Sequence, residues 1–142
     1  MNDVGLLCAA CMKNIQFDLL MGNMDVNMGS ILENVFAQNL KSNGFELRYF
    51  DSKKVGELDF VLQRGMSAEV VEIKSGSDYK KHLAMDHAIR TENWKFGNRI
   101  VFSKSNVEEE NGILYLPWYM LIFYRQEVPR EQLIYKIDLN GL

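Results

Sequence analysis

Four residues of this chain could together perform metal-assisted chemistry on a phosphate ester: Glu33, Asp59, Glu72 and Lys74. Asp59 lies in the run Glu57-Leu58-Asp59-Phe60-Val61, and Glu72 and Lys74 in Glu69-Val70-Val71-Glu72-Ile73-Lys74. Both runs have strand character. Side chains alternate along a strand, so Glu72 and Lys74 share one face and Val71 and Ile73 the other, while Leu58 and Phe60 lie opposite Asp59. If the two strands are neighbours, Asp59 comes beside Glu72. Adjacent carboxylates repel and each is costly to bury alone. A divalent cation removes that conflict, and hard oxygen donors suit Mg2+ or Mn2+ rather than zinc. A lysine beside the pair can orient an attacking water or stabilise charge developing on a phosphate. The bland reading of Glu72 and Lys74 is a solvated pair on an exposed strand face. Glu33 taken singly is an acid near a helix N-terminus. The order of all four, with Asp59 set in an otherwise apolar strand, favours the site.

The elements that must position these residues are legible in outline. Gly29-Ser30 opens a helix in which Ser30 is the N-cap and Glu33 its capping-box partner. Ile31, Leu32, Val35, Phe36, Asn39 and Leu40 follow at helical spacing, and Gly44 ends the helix. Three strand-like runs come next, Phe45 to Asp51, Glu57 to Gln63 and Ala68 to Ser75, with turns at Val55-Gly56 and Arg64-Gly65-Met66. A second helix is predicted from Tyr79 to Asn93, with Leu83, Ala84, His87 and Ala88 on one face. Asn98 to Ser103 reads as a short buried strand, Val107 to Asn111 as an acidic loop, and Gly112 to Leu116 as another strand. Pro117 stands at the first position of a last helix reaching about Tyr124, and Gln132 to Leu139 adds an edge strand. A meander of three antiparallel strands followed by a crossover helix predicts an α/β fold, a mixed sheet flanked by helices.

At 142 residues the chain is long enough for one domain with its own core. It is 47% hydrophobic and 25% charged, which excludes a disordered chain. The net charge of −3 means that a nucleic-acid surface would have to be gathered locally. One stretch offers this: from Glu72 to Lys104 seven basic residues face four acidic ones. Within it Lys80 and Lys81 are candidate contacts to a nucleic-acid backbone, though lysines at a helix start are commonly just exposed. Ser75-Gly76-Ser77-Asp78 could touch a phosphate through backbone N–H groups, or simply connect strand to helix. His82 and His87, five apart, do not share a metal-binding face and receive no role. Trp118, Tyr119, Phe123 and Tyr124 read as core or as a domain interface. The two cysteines, Cys8 and Cys11, form a lone C-x-x-C without a second pair and read as small buried thiols, which fits a reducing cytoplasm. No signal peptide opens the chain. The most apolar run, Gly112 to Tyr124, is shorter than the roughly 20 residues that span a bilayer, so no membrane partner is expected. Residues 1–28 lack a clear period and read as a segment adjoining a preceding domain, with 29–142 as the organised domain. Their apolar character also allows self-association into a homo-oligomer.

The run from Glu33 through Leu58-Asp59 to Glu72-Ile73-Lys74 resembles the PD-(D/E)XK nuclease signature. More closely, the chain from about Asp3 to Tyr124 resembles a C-terminal domain of unknown function found in prokaryotic AAA-family ATPases. The matching words are Asp3-Val4-Gly5-Leu6-Leu7, Gly29-Ser30-Ile31-Leu32-Glu33-Asn34, Glu57-Leu58-Asp59-Phe60, Val71-Glu72-Ile73-Lys74-Ser75-Gly76 and Tyr115-Leu116-Pro117-Trp118-Tyr119-Met120. The resemblance implies a restriction-endonuclease-like fold and an Mg2+- or Mn2+-dependent nuclease acting on DNA. It makes Asp59 and Glu72 metal ligands with the Ile73 carbonyl a third, Lys74 the catalytic lysine, and Glu33 the helix acid completing the site. It also implies an upstream ATPase domain in a longer protein. Leu58 stands where the signature has proline, and no G-x-x-x-x-G-K-[ST] occurs, so no ATP site is expected in this chain. A non-catalytic nucleic-acid-binding or docking module of that ATPase is the competing expectation.

Overall fold

The computed structural model describes residues 28–91 and 95–126, together with positions 3, 5, 6, 9 and 21. Helix α1 (Met28–Ser42) buries Ile31, Leu32, Phe36 and Leu40 on one face. It starts two residues ahead of Ser30, so Ser30 lies inside the first turn rather than at the N-cap. Met28 packs against the core, and that apolar contact extends the helix upstream of the polar signal. The other end follows the local chemistry closely. Gly44 takes φ +91°, its N–H donates to the Lys41 carbonyl, and the Phe45 N–H donates to the Leu40 carbonyl. This is a Schellman ending, and its two apolar partners, Leu40 and Phe45, both enter the core.

Strands β1 (Arg48–Ser52), β2 (Gly56–Arg64) and β3 (Ser67–Ile73) form the antiparallel meander. Helix α2 (Leu83–Thr91) crosses over to β4 (Arg99–Ser103), which lies parallel to β3. Strand β6 (Ile113–Pro117) continues the parallel portion, and β5 (Glu108–Glu110) pairs antiparallel at its outer edge. The order across the six-stranded sheet is β1-β2-β3-β4-β6-β5. The fold is thus the mixed α/β sheet flanked by helices that the patterning predicts.

Particular elements depart from the sequence reading. The expected acidic loop is strand β5. Asn111 (φ 53°) and Gly112 (φ 71°) form the two-residue turn between the pair Glu110↔Ile113. Asn-Gly with both φ positive is the hairpin turn whose twist matches paired strands, and it overrides the weak strand preference of three glutamates. Their charge also suits an edge that must not recruit another strand. The last helix is a 3-10 helix (Trp118–Phe123), with Pro117 as its extended N-cap rather than its first residue. Helix α2 begins four residues later than expected, and its inner face is Met85, Ala88 and Ile89. Leu83 and His87 are exposed, while Ala84 and Ala88 of the predicted face pack inward beside Met85. The segment Gln132 to Leu139 and the cysteines lie outside the described residues.

Each sheet face carries its own core. Beneath α1, Leu32, Phe36 and Leu40 meet Phe60, Leu62, Val71, Ile73, Ile100 and Phe102. Beneath α2, Met85 meets Leu58, Val70, Val101, Ile113 and Tyr115. Glu69 is 1% exposed and is saturated with donors. Its carboxylate accepts from Arg64 Nε (3.0 Å), from Asn98 Nδ2 and from the Tyr124 hydroxyl. The Arg64 guanidinium also lies over the rings of Phe45 and Tyr124. This cluster fastens the chain after the 3-10 helix to the sheet. The burial of Tyr124 and its bond to Glu69 push its hydroxyl well above the usual tyrosine range.

Phe36, 1% exposed and edge-on to Phe102 at 4.9 Å, should cost about 3–5 kcal/mol when cut to alanine. Gly44→Ala, which forces a side chain into the left-handed region, should cost about 1 kcal/mol. Urea unfolding midpoints check both.

Candidate active site

The site is built where the β2–β3 ladder stops. Between the pairs Arg48↔Val61 and Phe50↔Leu58, β2 carries one residue more than β1, a β-bulge spanning Asp59 and Phe60. The bulge breaks the simple alternation expected for this strand. Leu58 packs under α2 while Phe60 packs under α1, so the two do not share a face. The last β2–β3 pair is Phe60↔Val71. Beyond it Asp59 uses its side chain in place of backbone, its Oδ2 accepting the Ile73 N–H at 2.8 Å. On the other side of β3 the parallel ladder runs on, and the Lys74 N–H donates to the Phe102 carbonyl at 2.8 Å. Asp59, Ile73 and Lys74 are therefore tied into one backbone framework.

Glu72 is 3% exposed and points to the α2 side. Its Oε2 lies 3.0 Å from Lys74 Nζ as an ion pair, yet that oxygen has no aligned hydrogen bond. The ammonium thus compensates its charge without saturating its lone pairs. Burial pushes the Glu72 carboxyl above the ordinary range, Lys74 and more weakly His82 oppose that rise, and Asp59 adds to it. The Asp59 carboxyl is also raised, chiefly by burial, against the lowering effect of the Ile73 N–H and Lys74, with Glu57 adding repulsion. Glu33 stands exposed on α1. Its carboxyl is raised by partial burial and by the negative charges of Asp59 and Glu57. Glu33, Asp59, Glu72 and Lys74 thus form one electrostatic neighbourhood at the carboxyl end of β3, the end at which parallel α/β sheets place ligands.

Two members of the neighbourhood escaped the sequence reading. Glu57 is two residues from Asp59, and strand spacing alone could have flagged it. His82 had no such signal. It is buried, its Nε2 lies 3.0 Å from the Tyr115 hydroxyl, and its Nδ1 lies 3.1 Å from Asp86. Only the crossover brings it to Glu72. Lys80 and Lys81 do not extend freely toward the site. Lys80 pairs with Glu108 (3.3 Å) and Glu110 (2.6 Å), which hold its ammonium above the usual lysine range, and Lys81 pairs with Asp78 (2.6 Å). Ser75-Gly76-Ser77-Asp78 is a bend leading to α2.

The donor set can be tested against a divalent cation on these terms. Asp59 and Glu72 offer hard oxygens, and the buried Glu72 Oε2, contacted by Lys74 alone, keeps lone-pair capacity for a cation. Among the described residues no three His, Cys, Asp or Glu side chains converge closely enough to hold a metal. Two carboxylates with the remaining positions left to water, backbone and phosphate is a coordination Mg2+ accepts.

Fold and site together define a mixed α/β domain with a half-satisfied carboxylate–lysine cluster at the end of its parallel strands. The chain belongs to the family described as a domain of unknown function, DUF4143, which matches it over residues 28–121. No curated protein and no solved structure matches it. No helix among the described residues is long and apolar enough to cross a membrane.

A raised carboxylate stabilises the fold only while it is protonated. The contribution of Glu72 is full below its unfolded value, near 4.5, and is lost as pH rises through the higher folded value. The metal-free protein should therefore melt at a higher temperature as pH falls from neutrality toward that window, and Glu72→Gln should flatten this part of the profile. Asp59→Ala strips the Ile73 N–H of its acceptor and should cost about 1–3 kcal/mol, more than Asp59→Asn, which keeps an acceptor oxygen. Calorimetric scans across pH and urea titrations read these outcomes.

Proposed function

We propose that this domain is a PD-(D/E)XK-type nuclease module that hydrolyses DNA phosphodiesters with Mg2+ or Mn2+, and that it works as the C-terminal part of a AAA-family ATPase. One contrast carries the reading. Glu69 and Glu72 lie three residues apart in one strand and both are buried. Glu69 is fully engaged by three donors, whereas buried Glu72 meets a single cation, Lys74 Nζ at 3.0 Å, and no other donor among the described residues. The first is spent on structure; the second is held ready for a ligand. Asp59 and Glu72 would hold the cation with the Ile73 carbonyl. Once bound, the ion supplies Lewis-acid polarisation of the phosphate and a more acidic water.

The chain's own residues supply the rest. Lys74, pinned through its backbone to β4, presents its positive charge where negative charge grows on the phosphate. Glu33 and Glu57 deepen the negative field around Asp59, which favours cation entry. The ATPase connection rests on the matching sequence words, since this chain has no P-loop.

A different observation favours a second reading, a non-catalytic docking or nucleic-acid-binding module. Tyr119, Ile122 and Phe123 are exposed together on the 3-10 helix, an apolar surface suited to a protein partner.

Titration calorimetry should show Mn2+ and Mg2+ binding to wild type, lost in Asp59→Ala and Glu72→Ala. Metal-dependent cleavage of DNA should fall about 100-fold or more in Lys74→Ala while metal binding persists. A wild-type protein that binds neither ion ends the nuclease reading, and metal binding without turnover favours the docking module.

A further inference from the structure

A second feature lies on the α2 side of the sheet. Helix α2, β4 and the β5–β6 hairpin enclose a cleft of about 470 Å³, within the usual size of small-ligand sites. Its charges are unequally committed. Of its two carboxylates, Glu110 is paired with Lys80 at 2.6 Å, and Asp86 turns toward His82 Nδ1 at 3.1 Å. Arg90 and Arg99 also line the cleft, and neither forms an ion pair with a carboxylate among the described residues. Arg99 is held in place by donating from Nη2 to the Asn111 carbonyl at 3.0 Å, and the absence of a side chain at Gly112 leaves room for its guanidinium. That bond satisfies one guanidinium N–H and leaves its charge unmatched. Two arginines lining one cleft without a carboxylate partner among the described residues offer planar, forked donors suited to phosphate.

We propose that this cleft binds a phosphoryl group through Arg90 and Arg99. The group could belong to a nucleic-acid backbone or to a free nucleotide. His82 lines the cleft, and its ring contacts the Tyr115 hydroxyl at 3.0 Å and Asp86 at 3.1 Å. Phosphate binding in the cleft itself does not depend on metal or on cleavage.

The test uses wild type in EDTA, with inorganic phosphate and adenosine monophosphate followed by calorimetry and a fluorescein-labelled single-stranded oligonucleotide followed by anisotropy. Arg90 is exposed, so Arg90→Gln should fold normally and should weaken binding about tenfold. Arg90→Gln with Arg99→Gln should abolish binding, and each lost arginine should reduce the salt dependence of oligonucleotide binding by about 0.7 in log–log slope. Asp59→Asn should leave the binding of inorganic phosphate and adenosine monophosphate unchanged, which separates the cleft from the proposed metal site. Binding of phosphate and mononucleotide without the oligonucleotide identifies a free nucleotide as ligand. Oligonucleotide binding alone identifies the strand. Wild type that binds none of the three probes, or binding indifferent to Arg90→Gln, overturns the proposal.

Discussion

At the end of β3 the Ile73 N–H lies beyond the last β2–β3 ladder pair, and the Asp59 carboxylate takes it at 2.8 Å. A buried backbone N–H must find an acceptor, and a bulge in β2 supplies one from a side chain. The consequences spread from there. The bulge turns Leu58 under α2 and Phe60 under α1, so one strand feeds two cores. It brings an acid to the strand end where Glu72 and Lys74 sit, and it leaves that acid half-buried beside another carboxylate. The fold thus accepts repulsion among carboxylates at one place, and the tight cores on both faces supply the stability that allows it.

The two buried glutamates of β3 show how placement separates structure from function. Both would be costly alone. Glu69 is answered by an arginine, an amide and a phenol, and the cluster secures the segment that follows the 3-10 helix. Glu72 is answered by one ammonium that balances its charge and does not fill its hydrogen-bonding capacity. In the cleft beyond His82, Arg90 and Arg99 have no carboxylate partner among the described residues, while Glu110 is paired with Lys80 and Asp86 contacts His82.

Much of this was legible in the residues. The helical spacing of Ile31, Leu32, Phe36 and Leu40, the glycine that ends α1, and the strand runs around Asp59 and Glu72 are local signals read with local rules. Ser30 lies within the first turn because the helix already includes Met28, which packs against the core. The three glutamates of β5 have little strand preference of their own, and the Asn111-Gly112 turn defines the hairpin that pairs them.

By itself the sequence determined the α/β architecture, the order of the meander and crossover, and the types and spacing of Asp59, Glu72 and Lys74, since these depend on periodicity and turn chemistry within a few residues. Only the tertiary structure decided which carboxylate is satisfied and which is not. It also decided that Lys80 and Lys81 spend their charge on Asp78, Glu108 and Glu110, and that His82, Arg90 and Arg99 gather around one cleft. These outcomes depend on a bulge and on a parallel crossover that juxtapose residues far apart in the chain, and hydrogen-bond satisfaction is a property of the completed neighbourhood rather than of any one segment.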